Sequence, residues 1–172
     1  MTTKTLFTTV VVAITLVSCS PAATVIPTET AVPISQPAPR PETLIEYRNT
    51  EYGFSFSLPA GWKGYSIITD TWQGYNNGNS ELIVEQGPTI SIRHPLWTSE
   101  NPRQDIPIMV FTLAQWNSLQ QNNYSVSAGV IYTELGRNAK YVFALYSRYN
   151  FAQMPGIEEV KTILEGNPLH TP

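Results

Sequence analysis

The chain has 172 residues, with 10 Lys and Arg against 13 Asp and Glu, which gives a net charge of −3. A mildly acidic chain does not bind nucleic acid or anionic lipid through charge alone, so we expect no nucleic-acid partner. The only cysteine is Cys19, which excludes a disulfide within the chain, so the fold depends on its apolar core.

Residues 1–18 form an apolar leader. It carries one positive charge, at Lys4, and an apolar run over residues 6–17 that ends in the sequence LVSC at residues 16–19. At about 1.5 Å per residue the run would be roughly 18 Å long as a helix, whereas a hydrocarbon core is about 30 Å thick. The leader is therefore typical of a signal peptide and not of a spanning helix.

The LVSC sequence resembles the lipobox of bacterial lipoproteins, with Leu at −3, a small residue at −1 and Cys at +1. The resemblance implies cleavage after Ser18 and a diacylglyceryl group on the sulfur of Cys19, which anchors the protein in the membrane on its extracytoplasmic side. Loss of the leader removes Lys4 and no acidic residue, so the net charge of −3 becomes −4. The alternative is an ordinary secretory signal or a short anchor, with the cysteine there by chance.

Residues 19–43 comprise Cys19 and a spacer that is rich in proline, alanine and threonine. Six prolines fall in this segment, at positions 21, 27, 33, 37, 39 and 41. Proline fixes φ and removes a backbone donor, so the composition predicts a disordered or polyproline-like stalk. A proline-rich docking motif is the alternative, but no clear PxxP with flanking basic residues is present.

Residues 44–168 are expected to form one globular domain, with 169–172 as a tail. The pattern predicts strands at 54–58, 64–72, 81–86 and 89–93. Asn77-Gly78 predicts a hairpin turn between the second and the third of these, because both residues tolerate positive φ.

A buried strand followed directly by a helix is predicted after residue 105. Residues 106–111 are apolar on both faces, and Thr112 with Gln115 matches a capping box. The helix presents Leu113, Trp116 and Leu119 as its inward stripe, and Asn122-Asn123 ends it in the left-handed region.

Strands at 127–135 and 140–148 follow, and the second is bulky on both faces, which indicates a central strand. Ile157, Val160 and Leu164 predict a short final helix that ends at Gly166. The order of strands, helix, strands and helix predicts an α+β fold in which helices cover a mostly antiparallel sheet.

One stretch, YGFSFSLPAGWKGY at residues 52–65, resembles the opening hairpin of PsbP-like and DcrB-like proteins. In that family a Tyr-Gly-Phe strand leads to a Pro-x-x-Trp turn. The resemblance implies an α/β/α sandwich. It also implies a non-enzymatic assembly or binding module, since members include photosystem accessory subunits, a nuclear-transport partner and bacterial lipoproteins. No functional residue of the family has a matching position here.

Catalytic and metal-binding patterns are scarce, and we expect neither an enzyme nor a bound cofactor or metal. No G-x-S-x-G motif is present. A Ser–His–Asp site would need His94 with Asp70 or Asp105, and the alternative is a loop histidine that bonds to backbone. Residues 70–81 have the length of a calcium loop, but Trp72 stands where a side-chain oxygen is required.

Two segments are candidate binding sites. Residues 93–105 read RHPLWTSENPRQD and form a long connection. Trp97 is a candidate anchor, and Arg93 or Arg103 a candidate partner for carboxylate or phosphate, with His94 and Asp105 nearby. The alternative is a structural loop that buries Trp97 and pairs Arg103 with Asp105 internally.

The second candidate is the hairpin end at residues 72–79. Its aromatic residues Trp72 and Tyr75 lie beside the amides of residues 76, 77 and 79, which suits stacking against a sugar. The alternative is a plain hairpin whose aromatics cover the core.

The favoured hypothesis is a non-catalytic, membrane-tethered module that binds another protein of the cell envelope. A carbohydrate-binding or cell-wall-binding surface protein is the second hypothesis, and a hydrolase centred on His94 the third.

Overall fold

The structure is a computed structural model that describes residues 43–126, 132–146 and 154–172. The predicted leader, Cys19 and all but the last residue of the spacer lie outside these ranges, as do parts of the strands predicted at 127–135 and 140–148. All described residues fall within one compact unit, Arg40–Pro172. Within the described part of the chain, no helix has the length and apolar character to cross a bilayer.

The described residues form nine strands, two α-helices and one 3-10 turn. In chain order they are β1 Ile45–Asn49, β2 Phe54–Leu58, the 3-10 turn Ala60–Trp62, β3 Ser66–Asn76, β4 Asn79–Arg93, β5 Ile106–Thr112, α1 Leu113–Gln120, β6 Tyr124–Ser125, β7 Tyr132–Arg137, β8 Tyr141–Tyr146, α2 Ile157–Glu165 and β9 Leu169–His170.

The strands form two sheets. One has three strands in the order β1-β2-β9, and the other has six in the order β6-β3-β4-β5-β8-β7. Every described pair of neighbouring strands is antiparallel. The predicted α+β class with a mostly antiparallel sheet is confirmed.

The six-stranded sheet is covered on both faces. On one face, Ile108, Val110 and Phe143 contact the three-stranded sheet and Val160 of α2. On the other face, Met109 and the side chains of β5 and β8 that alternate with the first set contact α1 and β6. Successive side chains of a strand point to opposite faces, so two separate cores share β5 and β8. The apolar faces predicted β5 as a buried strand and β8 as a central one, and both predictions are confirmed by their buried side chains and by the strand order.

Strands β3 and β4 form one long hairpin around Asn77-Gly78, as predicted, with Asn76 opposite Asn79. The strands predicted at 81–86 and 89–93 are a single strand, β4. Pro88 does not interrupt it, because β4 pairs with β5 only from Thr89 onwards among the described residues. Among the described residues, Pro88 is paired with β3 but not with β5. A proline is tolerated at such a position because one side of the strand needs no backbone N–H there.

Helix α1 begins as its sequence predicted. The Thr112 hydroxyl accepts a hydrogen bond from the Gln115 backbone N–H, and the Gln115 side chain accepts one from the Thr112 N–H. Each bond satisfies a donor that a helix start leaves unpaired. Asn122 follows the helix in the left-handed region, at φ 57°.

The predicted tail at 169–172 contains a strand, which corrects the domain boundary. In β9, Leu169 pairs with Phe56 and His170 with Ser55. Leu169 is buried in the core between the two sheets, so the C-terminus is part of the fold. The pattern rules missed β9 because two residues are too few to show a period.

Candidate functional site

The base of the 93–105 loop is closed by an ion pair. Arg93 ends β4 and Asp105 precedes β5. Because Ile92 pairs with Ile106 in these antiparallel strands, Arg93 and Asp105 form the next facing pair. The Nε and Nη2 atoms of Arg93 donate to the Asp105 carboxylate at 2.8–3.2 Å. Such a two-point contact fixes orientation as well as distance.

Trp97 is held by the same arginine. The Arg93 guanidinium lies over the Trp97 ring, 3.9 Å from its centroid, and the Trp97 backbone N–H donates to the His94 carbonyl. The Trp97 side chain is half-buried. The carboxylate occupies one edge of the Arg93 guanidinium and the ring covers one face, so the charge of Arg93 is already paired within the loop.

Arg103 pairs with Glu159 of α2 and not with Asp105, which corrects the internal pair predicted for this loop. Its Nη2 lies 3.2 Å from a Glu159 carboxylate oxygen, and the other oxygen accepts from the Trp62 indole N–H at 3.0 Å. One carboxylate therefore joins the loop, the helix start and the 3-10 turn.

Gly156 supplies the space for Arg103. This residue precedes α2 with φ 87°, and a Cβ there would lie 3.2 Å from Arg103 Nη2. Glycine suits both the positive φ and the close approach.

His94 is a buried loop histidine that bonds to backbone. It is 5% exposed, its Nδ1 accepts from the Leu96 N–H at 3.0 Å, and its ring meets the Trp62 ring edge-on with centroids 4.9 Å apart. Burial, and then the positive charge of Arg103, lower the pKa of His94, while Glu159 opposes the shift.

Neither carboxylate considered for a Ser–His–Asp site is hydrogen-bonded to His94. Asp105 bonds to Arg93, and Asp70 accepts from the Thr71 backbone N–H. The geometry favours the structural alternative for His94, with its imidazole fixed by Leu96 and Trp62.

Trp72 lies inside the fold, which corrects its assignment to an exposed sugar-binding tip. It is 5% exposed, and its indole N–H donates to the Val110 carbonyl at 2.9 Å. Its ring is stacked against Tyr124 at an interplanar angle of 5°. Gly87 on the neighbouring strand makes the room, because a Cβ there would lie 2.6 Å from the indole.

The polar groups of the hairpin end bond within the protein. The Tyr75 hydroxyl donates to Gln73, and the Asn76 side-chain oxygen accepts from the Gly78 N–H. The Asn77 amide donates to the Asn122 carbonyl. With Trp72 buried, the hairpin offers no pair of exposed aromatic faces to a sugar.

A third polar set, missed by the sequence reasoning, lies on the outer face of the three-stranded sheet. Ser57 Oγ lies 3.2 Å from His170 Nε2, and His170 lines two clefts of about 380 and 390 Å³. Hydrogen bonds from Ser55 and then Arg48 lower the pKa of the nearby Glu46. The alternation of Ser55 and Ser57 was the available signal, but the partner of Ser57 is 113 residues away in sequence.

Exposed apolar side chains form the last feature of the surface. Leu96 of the 93–105 loop is 67% exposed, and Leu82, Ile83 and Val84 of β4 are 43–51% exposed. Successive side chains of a strand point to opposite faces, so Leu82, Ile83 and Val84 expose apolar groups on both faces of the hairpin.

No group of three or more metal-ligating side chains occurs among the described residues. No protein-family model matches the chain, and neither a curated protein nor a solved structure matches it.

Proposed function

We propose that the protein is a membrane-anchored, extracytoplasmic lipoprotein whose domain is a non-catalytic binding or assembly module of the cell envelope. The anchor rests on the lipobox at residues 16–19. In this proposal the lipid on Cys19 holds the chain at the membrane, and residues 20–43 separate the domain from the headgroups.

The observation that carries the binding role is a braced loop with an exposed apolar side chain. The 93–105 loop is closed by Arg93 and Asp105 and tied to α2 through Arg103 and Glu159. Leu96, in the turn at residues 94–97, is nevertheless 67% exposed. A surface that is already fixed loses little conformational entropy on binding, and an apolar side chain gains from entering a pocket.

His94 and Trp62 fit the same role as supports. Their rings and the Glu159 carboxylate lie beneath the loop, where they hold the backbone of residues 94–97 in place. In the proposal these side chains position Leu96 and do not perform chemistry.

The finer fold assignment belongs to this proposal as well. We propose a PsbP-like or DcrB-like sandwich, supported by the turn at Gly53, where φ is 72°, and by the 3-10 turn that buries Trp62. The covering of both faces of the six-stranded sheet also suits that architecture.

The lipid anchor is tested by metabolic labelling with a radioactive fatty acid. We expect label on the wild type and none on Cys19→Ser, which should also be released from membranes by plain buffer. Equal labelling of the two chains, or no label on either, would overturn the anchor.

The binding role is tested by cross-linking in intact envelopes followed by affinity purification. Leu96→Asp places a charge at the exposed apolar position of the loop, and Leu82→Asp is the matched control on the exposed hairpin. We expect one specific cross-linked protein with the wild type and the control, and its loss with Leu96→Asp. An unchanged product with Leu96→Asp, or no product with the wild type, counts against the proposal.

A further inference from the structure

The turn at residues 94–97 is held by the imidazole of its own first residue. The Nδ1 atom of His94 accepts a hydrogen bond from the Leu96 backbone N–H at 3.0 Å, and the Trp97 N–H donates to the His94 carbonyl. A backbone N–H can only donate, so Nδ1 must carry a lone pair. The turn therefore requires a neutral imidazole that carries its one proton on Nε2.

An imidazolium cannot make this contact. Both of its ring nitrogens carry protons, so neither can accept from the Leu96 N–H, whichever way the ring is turned. Protonation of His94 would place two N–H groups against each other and leave the Leu96 amide without its acceptor. The turn as described and the charged form of His94 therefore exclude each other.

The surroundings of His94 also disfavour a charged ring. The side chain is 5% exposed and packs against the ring of Trp62, which carries no charge. Among the described residues, the charged groups that act on His94 are Arg103 of the same loop and Glu159 of α2. The Glu159 carboxylate already accepts from Arg103 and from the Trp62 indole. Burial and Arg103 outweigh Glu159, and the pKa of His94 is lowered.

We propose that His94 is a pH-sensitive switch of the 93–105 loop. With a neutral ring, His94 closes the 94–97 turn and holds Leu96 in the position that the structure shows. Protonation breaks the bond to Leu96, the charged ring moves out to solvent, and the turn opens. Histidine suits such a switch because its charge changes near physiological pH.

The opening is confined to the turn. The ion pairs of Arg93 with Asp105 and of Arg103 with Glu159 do not include the imidazole, so both ends of the loop keep their supports. What changes is the position of Leu96, the exposed apolar residue. The switch is a property of the turn itself, whereas its effect on binding rests on the proposed function.

Nuclear magnetic resonance tests the switch in the full, isotope-labelled chain carrying Cys19→Ser, which cannot take the lipid. We expect the His94 ring to show the Nε2–H tautomer at pH about 7.5 and to titrate with a midpoint below about 6.5. The Leu96 amide proton should move upfield with the same midpoint, because it loses its acceptor. The amides of Thr112 and Gln115 in the capping box should not move. A Leu96 amide that does not follow the ring, or capping-box amides that do, would overturn a local switch.

Three substitutions separate the switch from other effects of pH. His94→Asn keeps an acceptor for the Leu96 N–H but does not titrate, so the Leu96 resonance should stay in place. His170→Asn is the matched control, because His170 is the other histidine of the chain, and it should leave the response intact. Arg103→Gln removes a charge that opposes protonation, so the midpoint should rise. A response that survives in His94→Asn, or a midpoint that does not rise in Arg103→Gln, contradicts the proposal.

Cross-linking in intact envelopes at pH about 7.5 and about 5 tests the effect on the proposed partner contact. We expect the product to be lost at the lower pH with the wild type and kept with His94→Asn. No product at either pH would overturn the proposed function, and the resonance experiment would still decide the switch. A wild-type product that persists at the lower pH would overturn the control of binding by His94.

Discussion

The β4–β5 loop and the β3–β4 hairpin both extend from strand β4, and they differ in how their bonding groups are satisfied. The loop of residues 93–105 pairs both of its arginines with carboxylates inside the fold. The hairpin buries Trp72 but leaves residues 66–71 exposed on both faces. The same kinds of residue therefore form a fixed scaffold in one region and an exposed strand surface in the other.

The difference shows that residue type alone does not identify a binding surface. Arginine, histidine and tryptophan are typical of interfaces, but in the loop they bond to one another and expose Leu96. Isoleucine is an ordinary strand residue, but Ile67 and Ile68 are 36% and 38% exposed although β3 is paired with β4. Side-chain exposure, and not residue type, shows which region a partner can reach.

The largest effect should come from the support beneath the loop. Trp62 is 1% exposed and donates to Glu159, so Trp62→Ala removes a large buried side chain and leaves a cavity. We expect the free energy of unfolding to fall by about 3–5 kcal/mol. Urea unfolding followed by circular dichroism measures it, with half-buried Trp97→Ala as the control at about 1 kcal/mol. Equal losses for the two variants would mean that the loop is not braced through Trp62.

A smaller effect is expected at Glu159, which is partly exposed. Glu159→Ala removes the acceptor of both Trp62 and Arg103, and we expect a loss of about 2 kcal/mol. Glu159→Gln keeps an oxygen for the indole and loses only the charge facing Arg103, so its cost should be about 1 kcal/mol or less. Urea unfolding of both variants compares the two contributions. If Gln is as destabilising as Ala, the ion pair and not the indole bond holds the carboxylate.

Local rules predicted the elements whose partners are close in sequence. The capping box needs only Thr112 and Gln115, and the hairpin needs only the turn at Asn77-Gly78. The buried strand β5 was predicted because both of its faces are apolar over successive residues. Each of these features is set within a few residues, which is the range that pattern rules cover.

The candidate site depends on contacts that sequence spacing does not show. Arg103 is two residues from Asp105, which made that pair the natural prediction, but strand register places Arg93 opposite Asp105. Trp72 is buried because Gly87 makes room for its ring and Tyr124 stacks on it, and both lie far along the chain. These outcomes follow from tertiary packing, which overrides local pattern.

The pH dependence of the free energy of unfolding should distinguish the effect of buried His94 from that of an exposed histidine. Burial lowers the pKa of His94 below its ordinary value of about 6.5 in the folded protein, so the unfolded chain binds the proton more readily. The free energy of unfolding should therefore fall as the pH drops below 6.5. His94→Asn, which keeps an acceptor for the Leu96 N–H, should flatten this slope, while exposed His170→Asn should retain it. An unchanged slope in His94→Asn would assign the effect to another group.

The smallest effect is expected on the hairpin, where apolar side chains are already in water. Leu82 is 51% exposed, so Leu82→Ser removes little buried area and should change the free energy of unfolding by no more than about 0.5 kcal/mol. Ile92→Ser is the contrast on the same strand: Ile92 is fully buried, and its loss should cost at least about 2 kcal/mol. Urea unfolding followed by circular dichroism measures both variants. A loss of several kcal/mol in Leu82→Ser would show that the hairpin is covered in solution and not exposed.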